Sequence, residues 1–157
     1  MVEIKDISTS VTYPTIDAAT YMRASASDTI ISDLTKAAFQ KAEGVLGRSL
    51  AVHTFQQEVD EHDGEIDLLY SPINTITSVK YFDGINWNTL TSSEYTLVGL
   101  QDKKILISKA YQNLLIEYTT TSFDNDIIKK LVKDLIFVWY DYRPDAEDLE
   151  ADIIKRL

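Results

Sequence analysis

A chain of 157 residues is long enough to form one domain that buries roughly 70% of the surface exposed by its unfolded form. The absence of cysteine excludes disulfides, zinc sites built on thiolates and thiol nucleophiles. Fifteen basic and 25 acidic residues give a net charge of −10, which repels phosphate backbones and anionic lipid surfaces and disfavours a specific nucleic-acid reader.

The N-terminal segment, residues 1–14, has little periodicity and several Ser and Thr, so we expect an extended or mobile arm. It also lacks the basic start and apolar core of a signal peptide. Residues 15–23 predict a short helix that Thr15 caps. Residues 25–28, Ser-Ala-Ser-Asp, match the capping box that begins a helix, and Ser27 is an equally good cap.

The next helix is amphipathic and is expected to end near Gly47, because glycine suits the left-handed residue that follows a helix. Its apolar side is spaced at steps of three and four residues and consists of Ile31, Leu34, Ala38, Ala42 and Val45. The opposite, polar side consists of Asp33, Lys36, Gln40 and Glu43.

From Ser49 the hydrophobic period changes to two for about seventy residues, which indicates strands. The segment Asp-Glu-His-Asp-Gly at 60–64 predicts a hairpin turn between two of them. Pro72 is expected at a strand end or sheet edge, and Asp83-Gly84 predicts a second hairpin. Further short strands are predicted at residues 87–90, 95–98, 104–108 and 114–120.

A second long helix should begin at Asp124 or Asn125 and end at Arg143, because Pro144 restricts the residue before it. The longest mainly apolar run of the whole chain, residues 135–140, is far below the roughly 20 residues of a membrane helix. We therefore expect a soluble protein with no membrane contact. Helices, then antiparallel strands, then helices predict an α+β fold, with one domain over residues 15–143.

Residues 144–157 predict a C-terminal tail that forms a short docking helix, with acidic residues early and Lys155 and Arg156 late. A narrow apolar stripe runs along it, and a single short helix cannot bury this stripe alone. The tail must therefore dock on this chain or on another. The stripe consists of Ala146, Leu149, Ile153 and Leu157.

The candidate chemical groups are few. His62 lies among the acidic residues Asp60 to Glu65, where an imidazole and carboxylates could bind a divalent cation or act as acid and base. Charged residues and glycine are also ordinary in a solvated turn, and His53 on a strand face is expected to be a packed or interfacial ring. We therefore predict no catalytic residue, no metal ligand and no cofactor.

The chain also lacks a glycine-rich phosphate loop, a GxxxxGK motif and a GxSxG motif, and this joint absence favours a structural role. Its Tyr and Trp residues are of the kind that anchor protein interfaces. Two alternatives stay open. One is a small α+β hydrolase or metal-dependent enzyme that uses residues 60–65, and the other is a monomeric module that binds carbohydrate or peptide.

Four segments in order carry a family resemblance. They are Ala19-Thr-Tyr-Met-Arg23 with Asp28 and the first long helix; Leu46-Gly-Arg-Ser-Leu50; residues 69–83; and Ile116-Glu-Tyr118 with the second long helix. The chain resembles the head-tail connector (adaptor) proteins of long-tailed bacteriophages and prophages, whose motifs include Thr-Gly-Arg-x-Leu and Pro-x-x-Ser-Val-x-Ser-Val-x-Tyr-x-Asp. It departs from them at residues 119–122, Thr-Thr-Thr-Ser, where the family often has Thr-Ala-Gly.

The resemblance implies a structural protein without an active site, assembled as a closed ring that is twelve-fold to match the portal. One face of the ring would meet the portal protein and the other the stopper or tail completion protein, while DNA passes through the hole without specific binding. The location implied is the virion neck, at the head-tail junction, after synthesis in the bacterial cytoplasm. We predict that the interface residues are Asp33, Lys36, Gln40, Glu43, Leu149, Ile153 and Leu157.

Overall fold

The computed structural model describes residues 1–21, 29–100, 103–122, 124–141 and 146–157, with side chains described at all of these positions except 20, 21, 141 and 146–149. The predicted capping box at 25–28 and the predicted helix end at Arg143 lie outside these ranges. The chain folds as two compact units, which we call the strand unit (Met1–Thr12 and Ala51–Ser122) and the helical unit (Tyr13–Leu50 and Phe123–Leu157). The sequence analysis expected a single domain over residues 15–143, whereas each of these two units combines segments that are distant in sequence.

The strand unit consists of two antiparallel sheets. Its strands are β1 (Val2–Asp6), β2 (Thr54–Val59), β3 (Glu65–Asp67), β4 (Ile73–Phe82), β5 (Trp87–Thr89), β6 (Tyr95–Val98), β7 (Lys104–Ile107) and β8 (Leu114–Thr120). One sheet has the order β1-β2-β8-β4-β5, and the other has the order β3-β7-β6. In β2 and β8 every second residue is buried, as the period of two predicts.

Side chains from both sheets form one hydrophobic core. Tyr118, Ile116, Leu114, Val79 and Ile105 are fully buried in it. Burial raises the pKa of Tyr118 to about 12. The hydrophobic core therefore joins the two sheets into one packed unit without a disulfide bond.

The N-terminal segment supplies an edge strand. β1 pairs antiparallel with β2, from Val2 opposite Val59 to Asp6 opposite Phe55. The predicted arm, residues 1–14, is thus divided: its first part is a strand of the five-stranded sheet, and Tyr13 belongs to the helical unit. The pairing was invisible in the sequence because β1 and β2 are separated by the whole first helical segment.

The predicted hairpin at residues 60–64 is wrong. β2 is paired on its two sides with β1 and β8, while β3 pairs with β7 in the other sheet. A side chain links the two segments instead: Gln57 Nε2 donates to the Asp67 carbonyl at 2.8 Å, and Leu69 N–H donates to Gln57 Oε1 at 3.0 Å. The fully buried amide of Gln57 thus replaces the predicted backbone pairing.

The hairpin predicted at Asp83-Gly84 is confirmed. It joins β4 and β5, with Phe82 opposite Trp87, and Gly84 has a φ of +97° that favours glycine. Pro72 lies directly before β4, as expected for a residue without a backbone donor. The sequence therefore predicts this edge of the sheet correctly.

The helical unit consists of α1 (Ala18–Tyr21), α2 (Thr29–Leu46), α3 (Asp126–Asp141) and α4 (Ala146–Arg156). Asn125 Oδ1 caps α3, since it accepts from Ile127 N–H at 2.9 Å and Ile128 N–H at 3.3 Å. Among the described residues no helix is both long and apolar enough to cross a membrane. The core of this unit includes Ala38, Phe39, Ala42, Val132, Leu135 and Ile136. Apart from β1, the strands lie between two helical regions in sequence, and both sheets are antiparallel, so the predicted α+β class is confirmed.

Candidate assembly surfaces and the acidic turn

One side of α2 is exposed and polar. Asp33, Lys36 and Gln40 lie there, as the helical period predicts. Ala37 and Lys41 are exposed beside them. This side of the helix is therefore available for contact with another chain, and its role as an interface stays a prediction.

Glu43 does not lie on that polar side, which corrects the sequence analysis. Its side chain is only 7% exposed, and its carboxylate accepts from Leu50 N–H at 2.7 Å and from the Tyr13 hydroxyl at 2.9 Å. The signal missed in the sequence was Phe39, which is 1% exposed and precedes Glu43 by four residues, so that both share one face of the helix. Glu43 therefore supports the fold of the helical unit.

This carboxylate also gives a physical reason for the Leu46-Gly-Arg-Ser-Leu50 motif. Gly47 has a φ of +61° and donates its N–H to the Glu43 carbonyl at 2.9 Å, which is the αL ending of a helix. The chain then turns back so that Leu50, 1% exposed, places its N–H on the Glu43 carboxylate. The motif and Glu43 act together to end the helix.

The C-terminal tail docks on this chain, which answers the question that the sequence left open. Ile153 is 4% exposed and belongs to the core of the helical unit, and Leu157 packs against that core. Trp139 Nε1 donates to Glu150 Oε2 at 2.9 Å, which ties α3 to α4. Ile153 and Leu157 are thus occupied within their own subunit, and the side chain of Leu149 lies outside the described residues.

In the acidic turn at residues 60–65, both ring nitrogens of His62 lie close to backbone N–H groups. Gly64 N–H lies 3.0 Å from His62 Nδ1, and Tyr111 N–H lies 3.3 Å from His62 Nε2. Glu65 forms an ion pair with Lys104 at 2.8 Å, and this hydrogen bond raises the pKa of Lys104. Within the ranges that the structure describes, no group of three or more His, Asp or Glu side chains is arranged to hold a metal ion.

His53 is a packed ring, as expected. It is 5% exposed, stacks on Phe55 at 5.3 Å between ring centroids, and places Nδ1 2.7 Å from Asp6 Oδ2. Burial raises the pKa of Asp6, but hydrogen bonds from Ser8 and His53 together outweigh this and hold it below its ordinary value. The arrangement fastens the end of β1 to β2.

Three carboxylates make the stability of the strand unit depend on acid pH. Hydrogen bonds hold the pKa values of Asp6, Asp83 and Glu94 below their ordinary values of 3.8 for Asp and 4.5 for Glu. Each group therefore adds stability at neutral pH, and this stability is lost as the pH falls from the ordinary value through the folded-state value. We expect the urea midpoint to fall as the pH is lowered from about 5 to about 2, and the fall to be smaller in Glu94→Gln. An unchanged wild-type midpoint would contradict these shifts.

Comparisons with known proteins place this fold among chains of phage-like particles. No family model and no curated protein matches the chain. Solved structures of gene transfer agent (GTA) particles do match it. A chain in the neck of the empty particle, computed with C6 symmetry, has a TM-score of 0.72 and 16% identity, over 98% of this chain and 94% of that chain.

Two further GTA structures agree. A chain in the virion of the native particle has a TM-score of 0.72 and 15% identity, over 98% of this chain and 93% of that chain. A chain in the neck of the native particle, computed with C12 symmetry, has a TM-score of 0.60 and 14% identity, over 94% of each chain. At these identities the likeness establishes the fold. The resemblance found in the sequence is therefore confirmed as a shared fold with neck proteins of a phage-like particle.

Proposed function

We propose that this protein is a structural head-tail connector (adaptor) of a tailed bacteriophage, prophage or related particle. The observation that carries the proposal is the match along 98% of this chain and 94% of a chain found in a GTA neck. The place of this protein would be the virion neck, at the head-tail junction.

The proposed assembly is a closed ring of twelve copies between the portal and the stopper or tail completion protein. Support comes from the C6 and C12 symmetry with which the GTA necks were computed. In a cyclic ring each subunit contacts its neighbours through two different surfaces. The net charge of −10 suits a ring through which DNA slides, because it gives phosphates no tight binding surface.

Asp33, Lys36 and Gln40 on α2 are the proposed contacts of the helical unit. All three are exposed, so reversing a charge there should leave folding intact while weakening assembly. We expect Lys36→Glu to change the melting temperature by only a few degrees at most and to lower the yield of assembled rings. If Lys36→Glu assembles as well as the wild type, Lys36 is not part of the interface.

Light scattering during size exclusion, with and without the portal protein of the same particle, tests the assembly. We expect a complex whose mass exceeds that of the portal assembly alone by about twelve copies of this chain. A chain that stays monomeric with portal at high concentration would contradict the proposal.

The enzyme alternative has its own test, the double variant His62→Ala with Asp63→Ala. A connector should keep its ring and lose only about 1–3 kcal/mol of stability, since the change removes the acceptors of the Gly64, Glu65 and Tyr111 N–H groups and no core side chain. A hydrolytic activity or cation binding that is present in the wild type and lost in this variant would favour the enzyme.

A further inference from the structure

The tip of the β4–β5 hairpin presents apolar side chains to solvent. Ile85 is 82% exposed and Trp87 is 41% exposed, and the Trp87 ring contacts Phe82 with 5.4 Å between ring centroids. Trp is one of the residues that most often anchor protein interfaces, and neighbouring exposed apolar side chains mark such contact sites. We call Phe82, Ile85 and Trp87 the hairpin anchor.

The loop that carries the anchor is held in one conformation. Asp83 accepts from Ile85 N–H at 2.9 Å, from Asn86 N–H at 2.8 Å and from Asn88 Nδ2 at 2.7 Å. The backbone N–H groups of Asn86 and Ile85 are the main reason why the pKa of Asp83 is lowered. A loop that is already ordered loses little conformational entropy on binding, so its apolar residues contribute more of their burial to affinity.

A hollow lies near the opposite edge of the same sheet. It has a volume of about 150 Å³ and is lined by Glu3, Ile4, Lys5, Gln56, Glu58 and Leu115, on strands β1, β2 and β8. A volume on the order of 150 Å³ accommodates a benzene ring in protein interiors. We call this the edge hollow, and its volume suits one side chain of the size of Ile85.

The edge hollow is net negative, because its lining holds two carboxylates, Glu3 and Glu58, against one ammonium group, Lys5. Glu3 and Glu58 are directly opposite in the register of β1 and β2, and like charges in that position destabilise a sheet. Lys80 precedes Phe82 by two residues on β4 and therefore lies on the same face beside the hairpin anchor. In the described part of the chain, Glu3, Glu58 and Lys80 have no ion pair.

The anchor cannot fill the hollow of its own subunit. β5 and β1 are the two edges of the five-stranded sheet, and three strand spacings of about 4.8 Å, roughly 14 Å in all, separate β5 from β2. Two different and complementary patches at opposite edges of one sheet are what a head-to-tail contact between identical chains requires.

We propose that the hairpin anchor of one copy packs into the edge hollow of the next copy, with Lys80 near Glu3 and Glu58. The occupant is a second copy of this chain, and the inference rests on the proposed ring. Burial of Ile85 and Trp87 supplies the affinity of the contact, and the charges fix its direction around the ring.

The first test compares the anchor with an equally exposed control. Ile85→Asp with Trp87→Ser should reduce ring assembly at least tenfold, measured by native mass spectrometry in the presence of portal. Leu100→Asp, at a side chain that is 95% exposed in the same unit, should assemble as the wild type does. The circular dichroism spectra of all three proteins should agree, because these side chains contribute little to either core.

The second test uses the absence of cysteine in the chain. Ile85→Cys combined with Gln56→Cys should give, after oxidation, a ladder of covalently linked copies that ends at the closed ring on a non-reducing gel. Either single variant should give no ladder beyond dimers. Lys80→Glu should weaken assembly, and adding Glu58→Lys should restore at least part of it.

The outcomes separate the two proposals. The hairpin contact is overturned if the wild type forms rings and the anchor variant assembles equally well. It is also overturned if the wild type forms rings and the paired cysteines give no ladder. Either result leaves the connector function standing. A wild-type chain that forms no ring with portal overturns both. Rings that depend on Ile85 and Trp87 and that link through positions 85 and 56 support both.

Discussion

Replacing Glu43 with alanine is expected to destabilise the protein by about 2–4 kcal/mol, because the change leaves the buried Leu50 N–H without its acceptor and removes the partner of the Tyr13 hydroxyl. For a chain of this length that loss corresponds to a fall in melting temperature of roughly 4–16 °C. Urea denaturation at neutral pH, followed by circular dichroism at the helical signal, measures it directly.

Gln40→Ala is the matched control for Glu43→Ala. Gln40 lies on the same helix but is exposed, so its truncation should change the stability by no more than about 0.5 kcal/mol. The loss of stability in Glu43→Gln should lie between those of Glu43→Ala and Gln40→Ala, because an amide oxygen can still accept one of the hydrogen bonds. If Glu43→Ala and Gln40→Ala were equally stable, Glu43 would not be the buried support described here.

Replacing Ile153 with alanine is expected to cost about 2–5 kcal/mol. The side chain is 4% exposed in the core of the helical unit, and its removal both loses apolar burial and leaves a cavity. Thermal unfolding of the purified chain should show the loss without any partner protein. Ending the chain before Pro144 should cost at least as much, since it removes Ile153 together with the contacts of Glu150 and Leu157.

Asp152→Ala serves as the control on the same helix. It removes an exposed ion pair with Arg156, at 3.3 Å and four residues apart, which contributes only about 0.3–0.5 kcal/mol. A stable Ile153→Ala protein that fails only in portal binding would show that α4 is a docking segment for a partner, as the sequence first indicated.

Local signals in the sequence predicted the local parts of the fold. Gly47 and Asn125 mark helix ends whose hydrogen bonds involve neighbours within four residues, and Asp83-Gly84 closes a hairpin between adjacent strands. The pairing of β1 with β2 was missed, because it joins residues about fifty positions apart. The buried amide of Gln57 was likewise invisible, since nothing in a period of two distinguishes a buried polar residue from a buried apolar one.

The candidate interface residues were also predicted correctly only where the local helical period decides their exposure. Asp33, Lys36 and Gln40 are exposed because a helical period alone decides which side they lie on. Glu43 was assigned to the wrong side because the apolar stripe was drawn without Phe39. The docking of Ile153 and Leu157 could not be predicted, because an apolar stripe requires a partner surface but does not specify whether it lies on the same chain.

The most direct test is a cryo-electron microscopy reconstruction of the neck of the particle whose genome encodes this chain. A ring of copies between portal and tail, with the α+β fold described here placed around the DNA channel, is the expected result. A complete neck reconstruction in which every density belongs to other proteins would contradict the central claim.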